Sequence, residues 1–438
     1  MKLVDQLRIK VAKWPYGVIS VMAAVSAFGA YTSMYAFRKA FAAGTFTGMH
    51  FLHVDYKVWL VIAQVVGYML SKFYGIKFIS ELKPGQRAKY ILLLIGIAWL
   101  ALLFFAFVPA PYNIVFLFIN GFPLGLIWGL VFGYLEGRKS TEFMAAVLSI
   151  SLIFASGFIK TIARTLMSSF HISEFNMPFI TGALFVIPLI LFVFMLELMP
   201  APTPEDIKLR TKRLPMDALE RKQFLQRFLP GIILTLIIYI LLTIMRDIRD
   251  NFEVEIWASL GFKDNSIYTR IDTIISVAVL VAMSLLILVR QNLKAFSLIH
   301  VMIISGCVLI GIGSVLFALG LIGPMVWMTL AGLGLYLGYI PYNAVFFERL
   351  LASFHCKGNV GFLIYVADSI GYVGSVSVLL IKEFGHPGIS WGTFFKQGVI
   401  TVAIVGGTCA TLSLFYFLRS ARKQEKDPSE QKLNIQPA

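Results

Sequence analysis

The chain has 438 residues, of which 58% are hydrophobic and only 14% charged, yet 38 Lys and Arg stand against 23 Asp and Glu, a net charge of +15. The mean hydropathy is +0.81. A disordered chain would be more polar, and a soluble domain would carry about 25% charged residues to cover its surface, so the remaining class is an all-α polytopic membrane protein with its bases confined to short stretches.

In chain order, Lys2, Arg8, Lys10 and Lys13 precede an apolar run that starts near Pro15. That run outlasts the core of a signal peptide and resumes after Arg38 and Lys39, so it reads as an uncleaved first span. A membrane-crossing helix needs about 20 mostly apolar residues. Twelve such spans are predicted: 16–46, 56–78, 89–108, 112–135, 142–166, 177–199, 229–252, 267–289, 294–320, 325–348, 358–382 and 395–418. The connections are short except for 200–228, which carries Pro202, Pro204 and Pro215 and the bases Lys208, Arg210, Lys212, Arg213, Arg221, Lys222 and Arg227. The expected plan is an N-terminal six-helix bundle (1–199), a cytoplasmic linker (200–228), a C-terminal six-helix bundle (229–420) and a polar, disordered tail (421–438).

Base placement sets orientation. With the N-terminus inside, so are Lys77, Lys83, Arg87 and Lys89, then Arg138 and Lys139, the linker, Arg290 and Lys294, Arg349 and Lys357, and Arg419, Arg422 and Lys423. The opposite loops at 109–112 and 321–324 have no bases. Both termini are therefore expected in the cytoplasm of a cell whose plasma membrane, a bacterial inner membrane, holds the protein.

The two halves repeat at an offset of 211 or 212 residues. Phe37-Arg38-Lys39-Ala40-Phe41 aligns with Ile248-Arg249-Asp250-Asn251-Phe252, Tyr134-Leu135-Glu136 with Phe346-Phe347-Glu348, and Ala155-Ser156 with Ala367-Asp368. Parallel six-span repeats describe transporters whose site lies near the bilayer midplane.

Ionisable groups inside spans cost about 2.5–3.5 kcal/mol each on insertion scales and mark sites or helix–helix ion pairs. Tyr31, Tyr35 and Arg38 share a helix face in span 1, and an arginine fork beside phenols suits an oxyanion. The plainer reading of Arg38 is an outer-end side chain snorkelling to headgroups. Gln64, Tyr68 and Lys72 step by four along span 2, where Lys72 can equally reach the cytoplasmic surface. Arg246 and Arg249 share a face of span 7 and have Asp247 and Asp250 as local ion-pair partners. Lys160 and Arg164 share a face of span 5, with Lys160 aligned to Tyr372 in the repeat. Asp368 lies about ten residues into span 11, on one face with Tyr365, Tyr372 and Ser375. It reads either as a proton carrier or as half of an ion pair, with a cation such as Lys160. Tyr336, Tyr339 and Asn343 give span 10 a polar face, and Asp272 sits near the outer end of span 8. Gly121, Gly125, Gly129, Gly133 and Gly137 recur every fourth residue of span 4, a surface for close helix packing.

Other chemistry is sparse. Cys307, Cys356 and Cys409 are far apart and form no disulfide or zinc pattern. His50, His53 and Asp55 are near one another, and a solvated loop explains them better than a metal site. There is no Walker A loop, HExxH, GxSxG or dinucleotide fingerprint. No catalysis, cofactor or metal is expected. The membrane-flanking bases do not indicate nucleic acid.

Three passages resemble a known family. Tyr31-Thr32-Ser33-Met34-Tyr35-Ala36-Phe37-Arg38-Lys39-Ala40-Phe41 is similar to the tyrosine-rich first span, ending in Arg-Lys-x-Phe, of the organophosphate:phosphate antiporters of the major facilitator superfamily. Gly67-Tyr68-Met69-Leu70-Ser71-Lys72-Phe73 resembles their Gly-x-x-Ser-Lys-Phe passage in span 2. Ser369-Ile370-Gly371-Tyr372-Val373-Gly374-Ser375 resembles their Gly-Tyr-x-Gly-x-Ser passage in span 11. The chain also resembles an uncharacterised bacterial family of facilitator-type membrane proteins. The resemblance implies two pseudo-symmetric bundles in a major facilitator fold. It implies a phosphate gripped by one arginine from span 1, here Arg38, and one from span 7, with Tyr31, Tyr35, Tyr68 and Lys72 around it. It favours Arg246 as the second arginine, whereas the internal repeat favours Arg249. The antiporters' span-5 histidine has no counterpart at Phe154–Lys160, and Ser80-Glu81-Leu82-Lys83-Pro84-Gly85-Gln86-Arg87 keeps only part of their loop after span 2.

The function expected is secondary active transport of a small organic anion by alternating access, in the form of phosphate ester exchanged for phosphate. One rival is a proton-coupled symporter of a carboxylate or peptide that uses Asp368. The other is a facilitator-derived membrane sensor that does not transport. The partners expected are the bilayer, the anionic solute and a coupling proton or phosphate.

Overall fold

A backbone in hydrocarbon has no water to pair with, so an open chain crosses only as helix. In a computed structural model of the protein, which describes residues 2–82, 85–203, 205–206, 218–354, 360–385 and 388–426, each of the twelve apolar runs is helical. Part of the linker (with Pro204, Lys208, Arg210, Lys212, Arg213 and Pro215), Lys83, Cys356, Lys357 and the tail after 426 lie outside the described residues.

A short helix α1 (Lys2–Val11) leads to α2 (Tyr16–Arg38), α3 (Tyr56–Glu81), α4 (Arg87–Phe107), α5 (Ile114–Leu135), α6 (Thr141–Phe170) and α7 (Met177–Glu197). After the linker come α8 (Ala218–Ser259), α9 (Ile267–Ile287), α10 (Asn292–Ala318) and α11 (Pro324–Pro341), which continues through a π turn into α12 (Phe347–Ser353). Then follow α13 (Val360–Gly385), α14 (Trp391–Thr401) and, through a second π turn, α15 (Gly407–Lys426). Among the described residues eleven helical segments are long and apolar enough to span a membrane. The remaining predicted span is α13, whose side chains are described only in part. The outward faces are apolar: Phe107, Ile187, Leu288 and Phe415 are each at least 65% exposed, which suits lipid and not water. The chain is a multi-pass, all-α membrane protein, with one two-residue hairpin, His50–Phe51 against Val54–Asp55, before α3.

Several helix ends differ from the sequence expectation: α8 begins at Ala218, inside the predicted linker, and α15 runs to Lys426, inside the predicted disordered tail, because both helices continue past their apolar stretch. Two further differences lie beside the candidate site residues. The first span, expected to run to 46, leaves α geometry after Arg38 and passes into a 3-10 turn at Ala40–Ala43. Its last carbonyls are not left bare, because Gln64 Nε2 donates to Arg38 O at 2.7 Å and Asn120 Nδ2 donates to Phe37 O at 3.0 Å. The seventh span runs past 252 to Ser259 but breaks at Phe252 (φ −118°, ψ 22°). Arg38 and Arg249 are aligned in the internal repeat, so the two departures from α geometry fall within three residues of equivalent positions.

Gly121 and Gly125 of the α5 stripe pack against α3, whereas Gly133 faces Arg87 of α4. A Cβ on Gly121 would fall well inside van der Waals contact of Gln64 O, and one on Gly125 would meet Ser71 Oγ and Tyr68 O. Gly67 of α3 makes the reciprocal approach to Phe118 O. These contacts set α3, with Gln64, Tyr68 and Lys72, at a fixed distance from α5.

The chain divides into two compact units. The first comprises Met1–Arg210, Asp247–Leu280 and Tyr372–Phe395, and the second Thr211–Arg246, Val281–Gly371 and Lys396–Ala438. In the first unit α2 packs on α5, α6 and α7, and α5 on α3 and α4. In the second, α10 packs on α11 and α15. The start of the linker is anchored in the first unit. Asp206 accepts hydrogen bonds from the Lys139 and Thr203 N–H groups at 2.7 and 2.9 Å, and from the Thr203 and Tyr16 hydroxyls. Burial alone would raise the Asp206 carboxyl, but these four donors hold it below the ordinary carboxylate range.

Candidate functional site

In the first unit, six of the residues singled out by sequence come together. Arg38, the last residue of α2, is 5% exposed. Its guanidinium lies 3.9 Å from the ring centroid of Tyr68 on α3 and 5.7 Å from that of Tyr35, one turn earlier on α2. The rings of Tyr31 and Tyr35 are 5.7 Å apart. Tyr68 meets Tyr372 of α13 edge to face at 5.4 Å, and Lys72 Nζ lies 5.0 Å from the Tyr68 ring. All six side chains are buried. Snorkelling therefore does not describe Arg38, whose charge faces phenols and not headgroups. None of the ion pairs among the described residues involves Arg38, and its Nε is buried without a hydrogen-bond acceptor. A desolvated guanidinium of this kind is costly unless an anion joins it.

Lys160 and Arg249 belong to a different cluster of the first unit. Lys160 Nζ donates to Ser156 Oγ at 2.6 Å, to Glu253 Oε2 at 2.8 Å and, more weakly, to Asp250 Oδ1 at 3.4 Å. Ser156 in turn donates to Asp250. Lys39 Nζ lies 2.6 Å from Asp250 Oδ2 and donates to Asn251 Oδ1 at 2.7 Å. Arg249 Nη2 donates to Asp272 Oδ1 at 2.6 Å and lies 3.5 Å from Glu253 Oε1. Three cations (Lys39, Lys160 and Arg249) thus face three carboxylates (Asp250, Glu253 and Asp272), none more than 4% exposed. The residue that caps α2 and helices α6, α8 and α9 all contribute, so the cluster ties four predicted spans together. Asp247 accepts from Ser375 at 2.9 Å nearby.

Sequence reading named Lys39, Lys160, Arg249, Asp250 and Asp272 separately but missed that they form one cluster. It weighed Asp250 only as a neighbour of its own arginines and passed over Glu253. A signal was present: Lys39 and Asp250 occupy equivalent positions of the repeat with opposite charges, and in the fold they bond to each other.

In the second unit, Arg246 Cζ lies 4.3 Å from the ring centroid of Tyr339 on α11. The Tyr239 hydroxyl donates to Asp368 Oδ1, and Tyr239 stacks on Tyr339 at 5.6 Å. Asp368 is buried, as its position in span 11 implied. The side chain of Tyr365 lies outside the described residues. His50 Nδ1 pairs with Asp55 Oδ1 at 3.1 Å in the exposed hairpin, and no group of three or more metal-binding side chains occurs among the described residues.

Comparison with known proteins places this geometry in a fold. A solved D-xylose-proton symporter matches with a TM-score of 0.59 at 12% identity, covering 90% of this chain and 96% of that one. A solved nucleoside transporter, a point mutant of NupG, matches with a TM-score of 0.58 at 14% identity, covering 92% and 99%. At such identities the likeness establishes the fold, a major facilitator type, and nothing of the substrate. No curated protein matches significantly. The model of one family, described as a family of unknown function (DUF5690), matches residues 40–420. Because that match covers far more than half of the chain, the chain belongs to the DUF5690 family.

Proposed function

We propose that the protein is a secondary active transporter of a small organic anion, working by alternating access in a plasma membrane with both termini cytoplasmic. The observation that carries this is Arg38: a buried guanidinium stacked on Tyr68, ringed by Tyr31, Tyr35 and Tyr372 and backed by Lys72, with no acidic partner among the described residues. Such a fork offers directed N–H donors to a carboxylate or phosphate, and the phenols add hydroxyl donors without adding negative charge. The similarity of the fold to solved transporters supports transport over catalysis. A phosphate ester exchanged for phosphate is the substrate class that the motifs around Arg38 and Lys72 favour.

The six-helix halves read from the internal repeat would be the moving parts. The Lys39–Asp250–Lys160–Glu253–Arg249–Asp272 cluster would hold the outer side closed and part as it opens. Arg249 is committed to that cluster. Arg246, stacked on Tyr339, repeats in its own unit the arginine-on-phenol chemistry of Arg38, which supports it as the functional arginine of span 7.

Counterflow of phosphate, phosphate esters and carboxylates in proteoliposomes tests the proposal. Arg38→Ala should abolish exchange of whichever anion the wild type carries, and undiminished exchange would end the assignment. A second reading, proton-coupled transport through Asp368, is favoured by its burial and its Tyr239 hydrogen bond. Proton uptake that disappears in Asp368→Asn while binding persists would select it.

A further inference from the structure

A cavity of about 410 Å³, lined by none of the Arg38 cluster, lies in the first unit between the 45–49 loop, the first turn of α3, the end of α8 and Trp391. Its size falls within the roughly 300–1,000 Å³ of small-molecule sites. In the orientation proposed above, this face is the extracytoplasmic one.

Its chemistry differs from that of the Arg38 cluster. The charged residues lining it are Asp55, Lys57 and Glu255, one cation against two carboxylates. Lys57 is 3% exposed and already held: Nζ donates to Glu255 Oε1 at 2.5 Å and to Ala42 O at 2.9 Å, with the Phe252 ring centroid 5.4 Å away. Glu255 is not fully used. Its Oε2 is buried and receives no hydrogen bond. An ionised oxygen left without a donor away from water is unfavourable, so a group that supplies an N–H there is favoured. The aromatic wall is made by Phe252, the residue at the break in α8, which stacks on Trp391 with centroids 3.5 Å apart and planes 10° apart. Tyr56 also lines the cavity. Aromatic faces beside excess carboxylate attract organic cations, and the Trp391 ring already holds the Lys382 ammonium 4.3 Å from its centroid.

We propose that this outer cavity binds a small organic ammonium compound, its N–H donated to Glu255 Oε2, its charge balanced by Glu255 and Asp55, and its apolar body against Phe252 and Trp391. The site is independent of the anion site at Arg38 and would take the opposite charge.

The test uses full-length protein in detergent, with phenethylamine as the probe and phenylpropionate and phenylethanol as controls of opposite and no charge. Binding is read by calorimetry and by tryptophan fluorescence. Saturable binding of the amine is expected, with at least tenfold weaker binding of both controls. Glu255→Gln should weaken amine binding at least tenfold, and Trp391→Leu should weaken it while thermal unfolding stays cooperative. Arg38→Gln should leave amine affinity unchanged. Absence of saturable amine binding in the wild type, equal binding of the carboxylate, or unchanged affinity in a folded Glu255→Gln protein would each overturn the proposal. An effect of Arg38→Gln equal to that of Glu255→Gln would overturn the independence of the two sites.

Discussion

Lys160→Met should be among the most destabilising single substitutions in this protein, and its cost is largely reversible. Lys160 is fully buried and gives its ammonium to Ser156, Glu253 and Asp250. Removing it converts a set of three cations and three carboxylates into one with a net charge of −1 and no access to water. Breaking a buried pair in this way costs about 3–5 kcal/mol. The lower end applies, because the carboxylates keep other donors: Asp250 keeps Lys39 and Ser156, and Glu253 keeps Arg249 at 3.5 Å and the Trp257 indole at 3.4 Å. A loss of about 3 kcal/mol corresponds to roughly a hundredfold change in the unfolding equilibrium. The measurement is unfolding in mixed micelles by denaturing detergent, comparing the wild type, Lys160→Met, Glu253→Gln and the double variant. The double variant restores neutrality, with Lys39 and Arg249 facing Asp250 and Asp272, and should recover most of the loss as a coupling energy. The reasoning fails if Lys160→Met stays within about 1 kcal/mol of the wild type, or if the double variant is no more stable than the single one.

The other expectations are brief. Arg38→Lys should transport almost as poorly as Arg38→Ala, since an ammonium cannot reproduce a planar fork stacked on Tyr68, and rescue of exchange by lysine would argue for a simple charge effect. Gly121→Val should prevent folding or severely lower the yield, because its Cβ would collide with Gln64 O, whereas Gly96→Ala on α4 has open space and should be neutral or stabilise by up to about 1 kcal/mol. Comparable yields for the two variants would refute the close α3–α5 approach. Asp206 carries a depressed folded-state pKa, so the stability it contributes is complete above its unfolded value of about 3.9 and is lost as pH falls through the lower folded value. Protease nicking of the linker should therefore be stronger in Asp206→Asn than in the wild type at about pH 7, with the two converging in strong acid. A difference that persists unchanged at low pH would show that the carboxylate is not the group responsible.

The spans were legible because lipid imposes one length and one composition on every crossing. Helix existence held among the described residues, and the discrepancies fall at ends: the exit of α2 at Arg38 and the break in α8 at Phe252 depend on Gln64, Asn120 and ring packing from other helices. The face carrying Tyr31, Tyr35 and Arg38 was readable because helical periodicity is local. That Tyr372 meets Tyr68 was not, because the two lie in different halves of the chain. The glycine stripe announced a close packing surface but did not name α3 as the helix laid on it.

By itself, then, the sequence determined that this is a many-spanning helical membrane protein, where most of its spans lie, and that Arg38, Lys72, Lys160, Arg246, Arg249 and Asp368 sit within them. Only the tertiary structure decided what those charges face. Arg38 meets phenols, while Arg249 and Lys160 meet carboxylates. The physical reason is that the cost of a buried charge is set by its neighbours within about 4 Å, and in a helical bundle those neighbours come from other helices, at distances along the chain that no periodicity encodes.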